Sequence, residues 1–188
     1  MLTLQWNSAN NNYIKSMPPP LLPDLIKTNL KVIFCGINPG LKSAWDGHHF
    51  SGRSNRFWKA LHLSGFTPYQ IEPSNDASIL DLGYGLTTAV ARATTRADEL
   101  TKDEFGAAIE LFKSKIERFL PEYIAFLGKP AYIAFSGKKQ AAWGRQSENF
   151  CGARVWVLPN PSGLNRGFAL HDLVTHYKEL YKAMENYG

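Results

Sequence analysis

Three short apolar segments, each ending in glycine or followed by proline, constrain the fold of this 188-residue chain more than any other feature. They are residues 31–36, 123–128 and 154–158. Continuous runs of this length, rich in β-branched and aromatic residues, are typical of strands that are buried on both faces. A weaker strand pattern lies at residues 85–90.

Helical patterns alternate with these strands. Apolar residues recur at helical spacing in residues 55–63, 103–119 and 169–184, and Thr101 stands where an N-cap is expected. Strands that alternate with helices predict a parallel sheet covered by helices on both faces. We therefore expect one α/β domain of three layers, α/β/α, around a central, mainly parallel four-stranded sheet.

Two polar loops follow predicted strands. Gly36-Ile37-Asn38-Pro39-Gly40 comes after the first strand, and Asn160-Pro161-Ser162-Gly163 comes after the last. Each loop alone is typical of a turn. Because ligands of parallel sheets bind beyond the carboxyl ends of the strands, we expect the two loops to face each other across a binding site.

Charge and cysteine content narrow the function classes. The formal net charge of +5 favours a polyanionic partner such as DNA, RNA or anionic lipid. No apolar run approaches the roughly 20 residues of a membrane span, and no secretory signal pattern is present, so we expect a cytoplasmic protein without a membrane partner. Two cysteines do not suffice for a disulfide framework. The spacing of the histidines predicts no metal site.

Several motifs occur together in one order. They are residues 32–41, 55–59, 64–67, 127–129, 140–144 and 157–166. Together they resemble the mismatch-specific uracil-DNA glycosylase and thymine-DNA glycosylase family. The resemblance covers residues 24–183, so we interpret residues 24–188 as a DNA glycosylase domain. Residues 1–23, rich in asparagine and proline, form an N-terminal extension whose flexibility stays open.

The resemblance implies a monofunctional glycosylase that needs no cofactor. Such an enzyme flips a mismatched or damaged pyrimidine out of duplex DNA and hydrolyses its N-glycosidic bond, which starts base excision repair. Uracil opposite guanine is the expected substrate, with ethenocytosine second and thymine a weak third. The expected partner is double-stranded DNA that carries G·U or a related lesion, bound by a monomer.

The first loop supplies the catalytic and base-binding residues that the resemblance implies. Asn38 matches the catalytic asparagine, which orients the attacking water because a carboxamide is not basic. Phe50 matches the aromatic residue that stacks on the flipped base, and Ile37 lies where backbone groups bond the pyrimidine edge. Ser43 matches a position near carbon 5 of the base. His49 is interpreted either as a group that polarises water or contacts the base, or as an ordinary loop histidine.

The second loop matches the family's intercalating wedge. Leu164 is expected to fill the gap left by the flipped nucleotide. Gly163 and Asn165 are expected to offer backbone groups to the unpaired guanine, and Ser162 to contact a phosphate. Arg166 is expected to hold phosphate or brace the wedge. The alternative is a solvated loop before the last helix.

The chain departs from each branch of the family at some positions. Residues 46–50 look like the thymine branch, whereas residues 160–164 look like the bacterial uracil branch. Bacterial members carry lysine where Thr88 stands and often an acidic residue where Ala91 stands, so base selectivity stays open. Two alternative functions also remain: a lesion-binding protein with little catalysis, and a uracil glycosylase of a neighbouring branch that acts on single strands.

Overall fold

The computed structural model describes residues 17–186. The strands are β1 (Val32–Gly36), β2 (Tyr84–Thr88), β3 (Tyr123–Leu127), β4 (Gly144–Arg145) and β5 (Arg154–Leu158). The helices are α1 (Leu41–Asp46), α2 (Phe57–Leu63), α3 (Lys102–Phe119), α4 (Lys129–Ser136) and α5 (Leu170–Glu185). Two 3-10 segments, Pro73–Leu82 and Ala97–Glu99, precede β2 and α3.

The strands form one sheet in the order β2-β1-β3-β5-β4. The first four strands in that order run parallel, and β4 pairs antiparallel with β5 at the edge. The predicted α/β architecture is confirmed, but the predicted number of four strands is wrong. The strand that was not predicted is β4, which has only two residues and is too short to give a periodic pattern in the sequence.

Strand residues alternate between the two faces of the sheet and create two cores. Phe34 and Trp156 face a core that includes Phe57 of α2 and Tyr177 of α5. Cys35 faces the opposite core. Phe112 of α3 and Phe135 of α4 belong to this second core. The three layers are therefore as predicted, and burial raises the pKa of the Cys35 thiol, as expected for an inert core cysteine.

Local signals set the ends of α3. The backbone N–H of Glu104 donates to Thr101 Oγ1, while the Glu104 carboxylate accepts from the N–H of Thr101. This reciprocal pair caps the first turn, as the sequence predicts for Thr101. Leu120 adopts a left-handed conformation at the other end, with φ of 49°, so the chain turns away into β3.

The residues that directly follow the predicted N-terminal extension, Asp24 and Leu25, pack on the sheet and on α3. Leu25 exchanges two backbone hydrogen bonds with Leu86 of β2, at 2.9 and 2.8 Å. Asp24 forms an ion pair with Lys115 of α3 at 2.6 Å and accepts from Thr87 Oγ1 at 2.6 Å. Residues 1–16, the larger part of the predicted extension, lie outside the described residues. No helix within residues 17–186 is long and apolar enough to cross a membrane.

Candidate active site

The two polar loops meet at a cavity of about 370 Å³ beyond the carboxyl ends of the parallel strands. Asn38 and Pro39 line it from the first loop, and Ser162, Gly163 and Leu164 line it from the second. The expectation that the loops face each other is therefore confirmed. The other sequence-predicted residues in its wall are Ile37, Ser43, His49 and Phe50.

Hydrogen bonds fix the orientation of the Asn38 side chain. Its Nδ2 donates to the carbonyl oxygen of Arg92 at 2.8 Å and to Thr94 Oγ1 at 2.7 Å. A carbonyl oxygen only accepts, so the amide nitrogen and not the amide oxygen must face Arg92. Both amide hydrogens are used, and no described residue donates to Asn38 Oδ1. This oxygen is therefore available to accept a hydrogen bond from a water molecule or a substrate.

The turn that carries both acceptors is itself tied to α3. Thr94 Oγ1 donates to the carbonyl oxygen of Arg96 at 2.7 Å, so its lone pairs are left for Asn38. The Arg92 guanidinium forms a bidentate pair with the Glu104 carboxylate. The hydrogen bonds from Arg92 and Thr101 lower the pKa of Glu104 to about 2. Residues 92–96 thus hold Asn38 from a segment far along the sequence.

His49 is a buried neutral histidine. Its Nε2 lies 2.9 Å from the carbonyl oxygen of Pro23, so Nε2 carries the proton and Nδ1 carries the lone pair. Burial, the largest cause, lowers the pKa of His49 below its usual value of 6.5. The backbone N–H of His49 donates to the buried carboxylate of Asp76 at 2.7 Å, and His48 Nδ1 lies 3.2 Å from the same carboxylate. Asp76, which sequence reasoning missed, therefore anchors this loop.

Phe50 lies in the cavity wall with its ring stacked on Phe57, with ring centroids 4.0 Å apart and an interplanar angle of 25°. Its backbone φ is 57°, a left-handed conformation that an aromatic residue rarely adopts. A Cβ at Gly36 would lie 3.8 Å from two ring carbons of Phe50. The loop thus presents an aromatic ring next to the end of β1.

Ser43 is buried, with 7% of its surface exposed, and its Oγ accepts from the backbone N–H of Ser51 at 3.2 Å. The hydroxyl therefore ties the start of α1 to the segment after Phe50.

Ile37 lies against Gly128, where an added Cβ would approach the Ile37 side chain to 3.1 Å. Thr88 also lines the cavity, whereas Ala91 is exposed and is not part of its wall.

The second loop projects from the domain. Residues 162–166 are called the wedge loop below. Leu164 is 66% exposed, and Arg166 is exposed without a hydrogen bond or ion pair to any of residues 17–186. Asn165 Nδ2 donates to the carbonyl oxygen of Asn160 at 2.8 Å, and Leu164 N–H donates to Ser162 Oγ at 3.2 Å. A second cavity, of about 630 Å³, is lined by Leu164, Asn165 and Arg166 on the side facing Arg96.

Arg56 contacts the wedge loop, and the sequence analysis did not assign it a role. Its side chain donates to backbone carbonyl oxygens in and beside the loop. The sequence analysis also gave no role to Thr94, because its hydrogen-bond partner Asn38 lies 56 positions away in the chain. Arg56 lies inside the matching motif of residues 55–59, whereas Thr94 lies in none of the matching motifs.

The described residues contain no group of three or more His, Cys, Asp or Glu side chains that could hold a metal ion. The cavity wall offers amide, hydroxyl, imidazole and aromatic groups, together with the ammonium group of Lys42. The Asn38 amide does not titrate, and burial lowers the pKa of His49, so neither side chain is a strong base. The geometry suits the orientation of a water molecule beside a flat ring.

Comparison with known proteins gives a structural neighbour and a family. The chain is similar in fold to a solution NMR structure of a protein from Methanosarcina acetivorans described as a candidate uracil DNA glycosylase, with a TM-score of 0.63 and 18% sequence identity. That similarity covers 90% of this chain and 99% of the other. The family model of the Uracil DNA glycosylase superfamily matches residues 23–185. Because this match spans most of the sequence, the chain belongs to the Uracil DNA glycosylase superfamily.

Proposed function

We propose that this protein is a monofunctional DNA glycosylase that removes uracil opposite guanine from duplex DNA. Membership of the Uracil DNA glycosylase superfamily supports the coarser part, a hydrolase of N-glycosidic bonds in DNA. The proposed catalytic role of Asn38 rests on one observation. Its amide nitrogen is held by two hydrogen bonds, while its Oδ1 accepts none from the described residues and lies beside the cavity. Ethenocytosine is the second proposed substrate and thymine a weak third.

The proposed reaction adds one water molecule across the bond between C1′ and N1. The water oxygen bonds to C1′ while the C1′–N1 bond breaks, and the bonding electron pair leaves with the base. The water then releases one proton, which neutralises the departing uracil anion. Asn38 Oδ1 accepts a hydrogen bond from this water and orients it. Since an amide does not remove a proton, we expect slower turnover than a carboxylate base would give.

The base pocket is proposed to hold the flipped ring by stacking and by shape. Phe50 supplies an aromatic face, and stacking of a base on such a ring is worth roughly 1–3 kcal/mol. Ser43 limits the space beside carbon 5 and thereby disfavours the methyl group of thymine. His49 Nδ1 bears a lone pair and is proposed to contact the base or the water.

The wedge loop is proposed to occupy the gap in the DNA. Leu164 is an exposed apolar side chain at the cavity mouth, as expected for a residue that inserts between base pairs. Backbone groups of Gly163 and Asn165 would bond the unpaired guanine, and Ser162 and Arg166 would contact phosphates. We further propose that the protein works as a monomer on chromosomal DNA in the cytoplasm.

Alkaline strand cleavage tests this proposal. Labelled duplexes with one G·U, G·T or G·ethenocytosine pair, and a single strand with uracil, are incubated with the full chain and then heated in alkali, which breaks abasic sites. We expect cleavage of the G·U strand above all others. Equal rates on single-stranded uracil would instead support the single-strand glycosylase. Binding of the G·U duplex without any cleavage would support the lesion-binding protein.

A further inference from the structure

The Arg56 side chain lies against the backbone of the wedge loop. Its Nη2 donates to the carbonyl oxygens of Ser162 at 2.8 Å and Asn165 at 3.0 Å. Its Nη1 donates to the carbonyl oxygen of Phe168, and Nε lies 3.3 Å from that of Pro161. One guanidinium thus joins carbonyls on both sides of Leu164.

The backbone of the same residue adds a further contact. The Arg56 N–H donates to the Pro161 carbonyl oxygen at 3.0 Å. Within residues 17–186, no acidic side chain forms an ion pair with Arg56. The charge of the guanidinium is therefore directed to the loop carbonyls, and charge-assisted hydrogen bonds are stronger and shorter than neutral ones. An exposed loop of this kind would otherwise sample many conformations.

Close packing beside Arg56 points to the same constraint. An added Cβ at Gly163 would lie 2.4 Å from the Ser54 side chain and 2.7 Å from the Ser54 carbonyl oxygen. Such distances require the backbone to move. Ser54 and Arg56 lie directly before α2, whose Phe57 and Leu61 are fully buried. The wedge loop is thus held against a segment that the core fixes.

We infer that Arg56 is a positioning residue that holds the wedge loop in the shape needed to insert Leu164 into DNA. This inference rests on the proposed function. A guanidinium is suited to the task because its planar fork reaches several acceptors at once, whereas a lysine ammonium lacks this fixed geometry. Arg56 does not line the cavity proposed to hold the base, so we expect it to act on flipping and not on the chemical step.

The test separates flipping from bond cleavage. The duplex carries 2-aminopurine beside the target nucleotide, and the target is 2′-fluorinated deoxyuridine opposite guanine, which resists cleavage. Unstacking of 2-aminopurine raises its fluorescence. At saturating protein we expect Arg56→Met to slow this rise by roughly tenfold to a hundredfold, since misplacement of a positioning group by about 1 Å has effects of that size. Arg56→Lys should fall between Arg56→Met and the wild type.

Two controls accompany the test. Arg53→Met removes the same charge from a neighbouring exposed arginine and should leave the rise at the wild-type rate. Asn38→Ala should unstack the DNA normally while failing to cleave an ordinary G·U duplex. A rise with Arg56→Met as fast as with Arg53→Met would overturn the inference while leaving the glycosylase intact. A wild-type protein that neither brightens the probe nor cleaves G·U would overturn the proposed function itself.

Folding of the variants is checked by thermal melting. If Arg56→Met does not fold, Arg56→Lys carries the same test, and Gly163→Ala tests separately whether the position of the wedge loop matters. Gly163→Ala keeps the arginine but forces the loop away from Ser54, and we expect slowed unstacking with near-normal melting. Unstacking by folded Arg56→Lys at the wild-type rate would then overturn the role of Arg56.

Discussion

Thr94 fixes the orientation of Asn38, a residue that lies 56 positions earlier in the chain. The distance between Asn38 Nδ2 and Thr94 Oγ1 is 2.7 Å, and the Thr94 hydroxyl donates onward to the carbonyl oxygen of Arg96. With Arg92 as the second acceptor, the amide cannot flip without losing both hydrogen bonds. The amide that we propose as the catalytic group is thus held in one orientation in the absence of DNA.

This relationship predicts the effect of Thr94→Val. The substitution keeps the shape of the side chain but removes the acceptor, so the Asn38 amide gains freedom to rotate. We expect the single-turnover rate on G·U to fall by about tenfold, the scale of one lost hydrogen bond, with little change in the dissociation constant for DNA. Thr175→Val, on the exposed surface of α5, is the matched control. An unchanged rate with Thr94→Val would contradict preorganisation by Thr94.

Leu164 carries a prediction about the wedge. Leu164→Ala removes most of the apolar side chain that would fill the gap in the DNA, so the flipped state loses stability. We expect cleavage of the G·U duplex to slow by about tenfold. Leu111→Ala, at a residue 74% exposed on α3, removes the same atoms and should have no effect. Equal rates for both variants would show that Leu164 is only a solvated loop residue.

Ser43 carries a prediction about base choice. Ser43→Gly removes side-chain atoms from the wall proposed to lie near carbon 5, so thymine gains room for its methyl group. Contacts of this size change discrimination by about tenfold or more, and we expect the ratio of G·T to G·U cleavage to rise by about that factor. Ser51→Ala removes a hydroxyl from the adjoining loop and serves as the control. Parallel loss of both activities in Ser43→Gly would instead indicate that Ser43 mainly holds the Ser51 segment.

His49 predicts a pH dependence of stability. Burial lowers its pKa in the folded protein below 6.5, while the unfolded chain takes up the proton near 6.5. Between these two pKa values the unfolded state binds more protons, so the free energy of unfolding decreases as pH falls through this window. His49→Gln keeps a donor for the Pro23 carbonyl but does not titrate. Chemical denaturation from pH 8 to about 5 should therefore show a smaller decrease for His49→Gln than for the wild type; equal slopes would contradict a buried neutral His49.

The sequence predicted those parts of the fold that depend on local patterns. The apolar strands, the long helix α3 and its Thr101 cap each depend on a few neighbouring residues, so their signals are visible without the structure. The edge strand Gly144–Arg145 has two residues and gives no period. Helices α1 and α4 are also short, with six and eight residues, and their patterns merge with the loops around them.

The same distinction holds for the candidate site, where residues in continuous motifs could be proposed from the sequence and residues that act through distant contacts could not. Asn38, Phe50 and Leu164 could be proposed as site residues from the sequence because they belong to continuous motifs. Arg56 acts on backbone carbonyl oxygens, which every residue possesses, so no pairing of side-chain types reveals it. The sequence also does not predict the contact between the Pro23 carbonyl and His49, which sets the tautomer of His49. The position of this carbonyl depends on the packing of Asp24 and Leu25.

The central claim is that Asn38 orients the water that breaks the glycosidic bond. Single-turnover cleavage of a G·U duplex by the wild type and by Asn38→Ala, measured together with the dissociation constants, tests it most directly. We expect Asn38→Ala to bind the duplex as tightly as the wild type but to cleave it at least about a hundredfold more slowly. Cleavage by Asn38→Ala at the wild-type rate would contradict the account.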